Sequence, residues 1–337
     1  MFNLLPGTIG DSRWFKSGVA ALLFVAVAFC QTAWADNPRI AVSKSPLSLP
    51  FFVAKEKNLF AKHGVEPQLI ECIGGNRCVQ ELVDGKVDMA TSSELPFMFT
   101  VHAGKPITLI TTFVNNKDDM KFLVRKSAAP EGIKSLAGKR VGYVSKSASH
   151  YFMDVFLLYH GLDPRTVVPV ALRADELAGA LAKGEVDAIS VWEPWGQVAL
   201  EMGGSKVEVV SSPRLYNQTF NLLVGNEYRL AESKRISAVL MALEDAIQLI
   251  KKNPDEAMRT MARVTGVSMA IVKAAWPTYR FELSLQQSLL TTIQGQARWA
   301  KREGHVAATN TDPEFLDFID SSLLRKLNPS AVDFVYR

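Results

Sequence analysis

The sequence repeats one pattern of helix, turn and strand. Gly-x-Val-Asp occurs at 85–88 and again at 184–187, each time after a Leu-bearing amphipathic stretch and before a short apolar run. In both stretches the apolar residues recur with helical spacing, and the glycine supplies a stop signal. We expect Asp88 and Asp187 to hold equivalent helix-to-strand turns. The repetition therefore predicts two similar α/β units.

Each unit alternates strands with helices. In the first unit, strands are predicted at 39–43, 65–71 and 87–92, with helices at 50–64 and 76–85. In the second unit, strands are predicted at 139–144, 166–172 and 186–191, with helices at 149–161 and 175–184. This alternation predicts a mostly parallel sheet with helices on both faces in each unit.

Two β-rich segments, about 107–125 and 206–225, join the units and read as strands that cross between lobes. The fold class is therefore α/β, with two Rossmann-like lobes joined by two crossing strands. The predicted domains are lobe I at 36–117 and 214–337, and lobe II at 118–213. After about residue 226 the pattern is helical to the end, and we expect these helices to pack on lobe I.

The first 35 residues have the features of a secretory signal peptide: two basic residues, an apolar run at 18–30 and small residues before a cleavage site after Ala35. We expect export to the periplasm. The apolar run is too short to span a membrane, so the mature chain is expected to be soluble. A lipidated Cys30 is the alternative, disfavoured because Phe29 is bulky where lipoprotein signals carry a small residue.

Charge and composition exclude several classes of protein. The formal net charge is +4, and removal of residues 1–35, which hold two basic residues and one acidic residue, leaves 36 − 33 = +3. Both signs are scattered, so nothing indicates nucleic-acid binding. Of three cysteines, Cys72 and Cys78 remain after processing and flank a glycine-rich turn. A disulfide and two reduced thiols both fit this spacing.

Motifs that define common enzymes are missing. The five histidines show neither HExxH nor zinc-finger spacing, and no G-x-S-x-G, G-x-x-x-x-G-K-[ST] or G-x-G-x-x-G segment occurs. We therefore expect no catalytic residue, no metal site and no cofactor.

Small and hydroxyl residues instead follow the predicted strands, at 43–48, 74–76, 91–94, 145–150 and 190–194. Ligands of open α/β sheets bind beyond the carboxyl ends of the strands, and helix beginnings there favour anions. One helix terminus contributes about 0.3–1 kcal/mol, whereas micromolar binding needs about 8 kcal/mol, so several termini must converge. Ordinary N-caps and a tight Gly-Gly turn are the structural alternatives.

Five segments carry a family resemblance: 51–71, 85–100, 136–162, 181–204 and 216–230. Together they resemble the periplasmic solute-binding proteins of ABC importers in the nitrate/sulfonate/taurine family, most closely the aliphatic-sulfonate-binding members. The resemblance covers about residues 39–250. It implies a two-lobed, type II-like periplasmic binding protein fold that closes around a small oxyanion. It also implies delivery of that ligand to a membrane permease driven by a separate ATPase.

The resemblance also implies a set of ligand-binding residues. These are Ser43, Ser45, Gly74, Gly75, Ser92, Ser93, Ser147, Ser149, His150, Trp192 and Glu193. Ala148 replaces a hydroxyl in the Ser-Ala-Ser-His turn. A carboxylate near an anion requires a cation, so Glu193 holds an ammonium group of the ligand, pairs with Lys146, or points away.

The leading functional hypothesis is capture of an aliphatic sulfonate or a taurine-like molecule, with Trp192, Phe97 and Phe51 lining an apolar slot. Nitrate, bicarbonate and a pyrimidine vitamin precursor are alternative ligands on the same fold. A pyrimidine-precursor synthase is a remote alternative, because the cysteine-rich iron-binding motif implied for that enzyme is missing. We expect a monomer that meets the membrane through its permease and binds no nucleic acid.

Overall fold

Two mixed β-sheets form the framework of the protein. The computed structural model describes residues 37–211 and 215–334, so the predicted signal peptide at 1–35 lies outside the described residues. The strands there are β1 (Arg39–Ser43), β2 (Gln68–Cys72), β3 (Met89–Ser93), β4 (Ile107–Asn116), β5 (Met120–Arg125), β6 (Arg140–Tyr143), β7 (Val168–Ala171), β8 (Ala188–Trp192), β9 (Val207–Val210), β10 (Gln218–Gly225) and β11 (Tyr279–Ser284).

Helices cover both sheets. They are α1 (Leu49–Glu56), α2 (Leu59–Lys62), α3 (Gly75–Val83), α4 (Glu94–His102), α5 (Ala148–Tyr159), α6 (Ala174–Lys183), α7 (Trp195–Gly203), α8 (Asn226–Ala231), α9 (Ser233–Lys252), α10 (Pro254–Thr265), α11 (Met269–Ala275), α12 (Gln287–Arg302) and α13 (Ser322–Leu327). Across the described ranges, none of these helices combines the length and hydropathy needed to cross a membrane.

The first sheet has the strand order β11-β4-β10-β3-β1-β2, and the second has the order β7-β6-β8-β5-β9. We call the half built on the first sheet lobe I and the half built on the second sheet lobe II. Each lobe has its own buried apolar core. The chain passes from lobe I to lobe II between β4 and β5 and returns between β9 and β10, as the two predicted crossings require.

The parallel pairing predicted for the βαβαβ strands of each unit is confirmed, but each complete sheet is mixed. Strand β1 pairs in parallel with β2 and β3, and β6 pairs in parallel with β7 and β8, whereas the other pairings in both sheets are antiparallel. The reason is the crossing. A strand that arrives from the other lobe, such as β10 beside β3 or β5 beside β8, enters the sheet in the opposite direction to the βαβ strands.

Two further predictions need correction. The helix predicted at 50–64 is divided into α1 and α2, because Asn58 adopts a left-handed conformation with φ of 52°. The region after residue 226 is not helical throughout, because β11 adds an edge strand beside β4. In β11, Phe281 and Leu283 are buried on alternate positions, and Ser284 at the end of the strand is buried as well. The C-terminal helices do pack on lobe I, as predicted.

Asp88 and Asp187 have the structural role that the repeated motif predicts. Asp88 Oδ2 accepts a hydrogen bond from the backbone N–H of Arg39 at 2.8 Å, and the Arg39 guanidinium donates to Oδ1 at 2.8 Å. In lobe II, Asp187 Oδ2 accepts from the backbone N–H of Arg140 at 2.9 Å. Each carboxylate therefore fastens its turn to the first residue of the central parallel strand, β1 or β6.

We expect Asp88→Ala and Asp187→Ala each to lower the free energy of unfolding by about 1 kcal/mol, because a strand N–H loses its acceptor. The two effects should add, since the residues belong to different sheets and share no partner. Urea denaturation measures both. Asp245→Ala is the control: Asp245 pairs with the side chains of Lys62 and His63, and its loss should cost less. A double variant no less stable than one single variant would contradict this prediction.

Candidate functional site

A cavity lies where the carboxyl ends of strands from both lobes meet. Its volume is about 20 Å³, within about 310 Å³ of empty space that includes solvent at its open side. The residues that line it are Ser43, Ser45, Leu47, Gly75, Asn76, Ser93, Pro96, Ser147, Ala148, Trp192, Gln218 and Phe220. Lobe I supplies the loops after β1, β2 and β3 and the start of β10, while lobe II supplies the start of α5 and the end of β8. Neither lobe alone forms this lining.

Three helices begin at the cavity. Gly75 is the first residue of α3, Ser93 is the N-cap of α4, and Ser147 is the N-cap of α5. The first N–H groups of a helix have no acceptor within the helix and form the positive end of its dipole. An anion placed in the cavity therefore meets three favourable helix ends, from both lobes.

Within residues 37–211 and 215–334, no residue that lines the cavity carries a formal charge. In this described lining, the groups that can attract an anion are backbone N–H groups, hydroxyls and amides. Such fixed dipoles suit an anion that is itself permanently ionised, because binding then requires no change of protonation on either side.

Two buried polar groups in the lining have no hydrogen-bond partner. Ser45 is 3% exposed and Gln218 is 3% exposed, and both Ser45 Oγ and Gln218 Oε1 are unpartnered. An unsatisfied buried polar group costs about 1–3 kcal/mol, so a ligand or water that reaches these two atoms is favoured. Rotation of the terminal amide lets Gln218 present either its oxygen or its NH₂ group. Both side chains are available to a ligand.

The Gly74-Gly75 pair brings backbone close to neighbouring residues. A Cβ on Gly75 would lie 2.8 Å from the Cα of Ser92, and a Cβ on Gly74 would lie 2.9 Å from Cζ2 of Trp192. Gly74 also has φ of 85°, which side-chain-bearing residues rarely adopt. The first glycine therefore allows Trp192 of lobe II to pack on lobe I, and the second allows α3 to begin against β3.

A disulfide encloses these glycines. The structure joins Cys72, the last residue of β2, to Cys78 in α3, with their Cα atoms 5.6 Å apart. Of the two possibilities that the spacing leaves open, the structure therefore has the bridge. The bridge fixes the start of α3 relative to β2, and so fixes the backbone that faces the cavity.

We expect Gly75→Ala to lower the free energy of unfolding by about 1–3 kcal/mol, because the new methyl group meets backbone that cannot move aside. Gly179→Ala in α6 is the matched control, since its Cβ would have nothing nearer than Met202 Cε at 3.9 Å. That change should stabilise the helix by about 0.5–1 kcal/mol. Guanidinium denaturation compares the two. The prediction fails if both substitutions change stability in the same direction.

Six of the eleven predicted binding residues line the cavity: Ser43, Ser45, Gly75, Ser93, Ser147 and Trp192. Five do not: Gly74, Ser92, Ser149, His150 and Glu193. Which of them contact a ligand stays a prediction. The predicted apolar slot is different in detail, because Phe51 and Phe97 are fully buried. The apolar part of the lining is Leu47, Pro96 and Phe220, together with Trp192.

Ser149 and Glu193, outside the lining, have hydrogen-bond partners, whereas Ser92 Oγ and His150 Nδ1 are buried and have none. The Ser149 hydroxyl donates to the carbonyl of Ser190 at 2.7 Å and accepts from the N–H of Val144 at 3.0 Å, which ties α5 to lobe II. Ser92 lies beneath Gly75. Glu193 Oε2 accepts from the N–H of Gln197 at 3.1 Å in the first turn of α7. The Glu193 side chain therefore points away from the cavity, which is one of the three arrangements predicted for it.

Two polar residues of the lining are absent from the predicted set. Asn76 belongs to the glycine-rich segment that the sequence singles out, and its side chain follows directly on the Gly74-Gly75 turn. Gln218 is the first residue of β10, a strand that joins the site only because it pairs with β3. The sequence gives little indication that Gln218 belongs to the site, because it is only one polar residue ahead of an apolar strand.

Behind the cavity, Glu94 holds α4 in place. This fully buried carboxylate accepts hydrogen bonds from Tyr216 Oη, from Thr219 Oγ1 at 2.8 Å, from the Thr219 N–H at 3.2 Å and from Gln296 Nε2 at 3.0 Å. Burial raises the pKa of Glu94, and these hydrogen bonds oppose the rise. Glu94 is the first residue of α4, so its side chain connects the start of this helix to β10 and α12.

We expect Glu94→Ala to lower the free energy of unfolding by about 3–5 kcal/mol, because several buried donors lose their acceptor. Glu94→Gln keeps the shape and one acceptor oxygen, so it should cost about 1–3 kcal/mol. Chemical denaturation measures both variants against Glu208→Ala, an exposed position on β9 that should change little. Equal losses for the Glu94 and Glu208 alanine variants would rule out the anchoring role.

Comparison with solved structures shows the class of fold. The alkanesulfonate-binding protein SsuA from Xanthomonas axonopodis pv. citri, solved bound to MOPS, superposes with a TM-score of 0.71 at 21% identity, covering 86% of this chain and 100% of that one. The periplasmic nitrate-binding protein NrtA from Synechocystis PCC 6803 gives a TM-score of 0.68 at 15% identity, covering 87% and 88%. The two-lobed α/β architecture is therefore that of periplasmic binding proteins.

The sequence places the chain more narrowly. The family model described as "NMT1/THI5 like" matches residues 45–257, which include every lining residue of the cavity except Ser43. The chain belongs to this NMT1/THI5-like family. It is 26% identical over 313 residues to the taurine-binding periplasmic protein of Escherichia coli K12, covering 87% of this chain and 94% of the relative.

One relative of the chain is named as an enzyme. The 4-amino-5-hydroxymethyl-2-methylpyrimidine phosphate synthase THI12 of Saccharomyces cerevisiae is 22% identical over 238 residues, covering 70% of this chain and 67% of the relative. Family membership alone therefore does not separate binding from catalysis.

Proposed function

We propose that this protein is the extracytoplasmic substrate-binding component of an ABC importer, and that the cavity holds an aliphatic sulfonate or a taurine-like oxyanion. One observation carries the proposal: three helix beginnings and two unpartnered polar groups face one cavity, and the lining residues that the structure describes are all uncharged. A sulfonate is ionised at any physiological pH, and its three oxygens can accept from several donors at once.

The lining suggests how such a ligand is oriented. The helix beginnings and the polar side chains of Ser45, Asn76 and Gln218 would hold the sulfonate oxygens. Leu47, Pro96, Phe220 and Trp192 would contact the alkyl chain, at about 0.8 kcal/mol for each buried methylene. We assign ligand contact to Ser43, Gly75, Ser93 and Ser147 as well. Gly74, Ser92, Ser149 and Glu193 support the site through the contacts described above.

The proposal extends to the organisation and location of the chain. Lobe I would comprise residues 36–117 and 214–337, and lobe II residues 118–213, so that both boundaries fall in the crossings. Residues 1–35 would direct export to the periplasm and be removed after Ala35. The partners would be a permease and its separate ATPase, with the binding protein acting as a monomer and not as an enzyme. The name of the taurine-binding relative supports this location.

A pyrimidine vitamin precursor is the second candidate ligand, because the synthase THI12 is a relative and uses the same family sequence pattern. Nitrate is a third, since a nitrate-binding protein shares the fold. Two features of the cavity, its apolar wall and its helix beginnings, support a sulfonate over these candidates. Nitrate needs no apolar wall, and a pyrimidine would stack on Trp192 and needs no convergence of helix ends.

We expect purified protein to be stabilised by taurine or by alkanesulfonates from ethane- to octanesulfonate in a thermal-shift assay. A ligand at 100 times its Kd stabilises by about 2.7 kcal/mol. Affinity should rise with chain length until the apolar wall is covered. Nitrate, bicarbonate and an aminopyrimidine complete the panel, and a response to one of these in place of every sulfonate would reject the proposed ligand class.

The site is tested with Ser45→Ala and Gln218→Leu. Each should weaken sulfonate binding about tenfold or more, since a hydrogen bond to a charged group is worth about 1.5–3 kcal/mol. Neither should destabilise the free protein, because both groups are unpartnered there. Ser237→Ala is the control, since Ser237 bonds within α9 to the carbonyl of Ser233. Unchanged sulfonate affinity in both cavity variants would place the ligand elsewhere.

A further inference from the structure

Three potential metal ligands from the two lobes meet outside the cavity. His150 and Asp154 lie one turn apart on α5 of lobe II, and His305 follows α12 of lobe I. One ligand atom from each residue lies within 4.8 Å of the other two. The rings of His150 and His305 have their centroids 4.3 Å apart. None of the three residues lines the cavity described above.

The cluster is enclosed. His150 and Asp154 are each 5% exposed, and His305 is partly buried. The Trp299 ring packs against both imidazoles, at centroid distances of 5.1 Å and 5.0 Å, and its Nε1 donates to Asp154 Oδ2 at 2.9 Å. Tyr143 covers another side of His150 at 4.5 Å. These neighbours restrict how the three side chains can turn.

One polar atom points to a ligand. His150 Nδ1 is buried and has no hydrogen-bond partner. A buried ring nitrogen without a partner is costly, and so is a buried carboxylate whose charge is not matched. Asp154 has one hydrogen bond, from a neutral indole. A divalent cation between these groups would satisfy the nitrogen and balance the carboxylate together.

Burial shifts the pKa values of all three groups. It lowers the pKa of His150 to about 3, with a smaller contribution from His305, and it also lowers the pKa of His305. It raises the pKa of Asp154 to about 6.

We propose that His150, Asp154 and His305 form a binding site for a transition-metal ion of the zinc class, bridging lobe II to lobe I. Two imidazoles and a carboxylate are a donor set that zinc and its neighbours prefer, with a fourth position left for water. Zinc–ligand distances of about 2.0–2.2 Å place ligand atoms within about 4 Å of each other, so small side-chain rotations close the site.

The bridge has a mechanical consequence. Because two ligands belong to α5 and the third to the segment after α12, an ion at this position holds the lobes in the arrangement seen here. The site is independent of the proposed sulfonate ligand, so its test does not depend on that proposal.

The experiment uses protein freed of metal with EDTA and then titrated with zinc chloride by calorimetry. We expect one ion per chain with micromolar or tighter affinity. His305→Gln, Asp154→Asn and His150→Gln should each reduce the affinity at least tenfold. Cobalt(II) supplies a spectroscopic check: a four-coordinate site of this kind gives an intense visible band, which the three variants should lose.

The matched control is His63→Gln. His63 Nε2 also lies beside a carboxylate, Asp245, at 2.8 Å, but in lobe I alone and without a second histidine. It should bind zinc as the parent does. Absence of zinc binding by the parent, or undiminished binding by His305→Gln, would overturn the proposal. His305 is the decisive position because it is the least buried of the three, so its replacement is least harmful to folding.

Discussion

Strand β10 lies between β3 and β4 and hydrogen-bonds to both, and the geometry of the cavity depends on this pairing. The chain enters β10 from lobe II, so the first residues of β10 lie beside the carboxyl ends of β1 and β3. Within it, the Asn221 side chain bonds to the carbonyl of Ser92 at 3.2 Å and accepts from Thr112 at 2.6 Å. One returning strand thus fixes the lobe I wall of the cavity and the point at which lobe II is attached.

The same arrangement explains why a neutral cavity can favour an anion. Helices that follow parallel strands all begin at the carboxyl ends of those strands. In this fold, the two sheets are joined by short crossings, and the carboxyl ends of their strands face each other. The positive helix ends then add to one another, and no lysine or arginine of the described residues lines the cavity beside them. Glu94 has a different role: this buried carboxylate is surrounded by hydrogen-bond donors and stabilises the beginning of α4 on the side away from the cavity.

Much of the architecture follows from local pattern, whereas its long-range pairings do not. Strand β1 begins and ends at the predicted residues, and Asp88 and Asp187 have their predicted role, because both depend on sequence periodicity and turn chemistry. Strand β11 is short and lies between helices, so its alternation is lost in the helical pattern around it. Gln218 joins the cavity, and His305 joins His150, through contacts between distant segments. Residue spacing in the chain carries no record of such contacts, and a motif search for metal ligands therefore passes over them.

Formation of the Cys72–Cys78 disulfide orders the backbone beside the cavity. Before the bridge forms, Gly74 and Gly75 lie in a segment with two of the most flexible residues a chain can contain, and the beginning of α3 is held by hydrogen bonds alone. Closing a loop of this size removes about 2 kcal/mol of that freedom from the unfolded chain. Thiols stay reduced in the cytosol and pair in oxidising compartments. Oxidation of Cys72 and Cys78 therefore completes the ordering of the backbone around Gly74 and Gly75. The molecule reaches its most ordered form only in surroundings where disulfides persist.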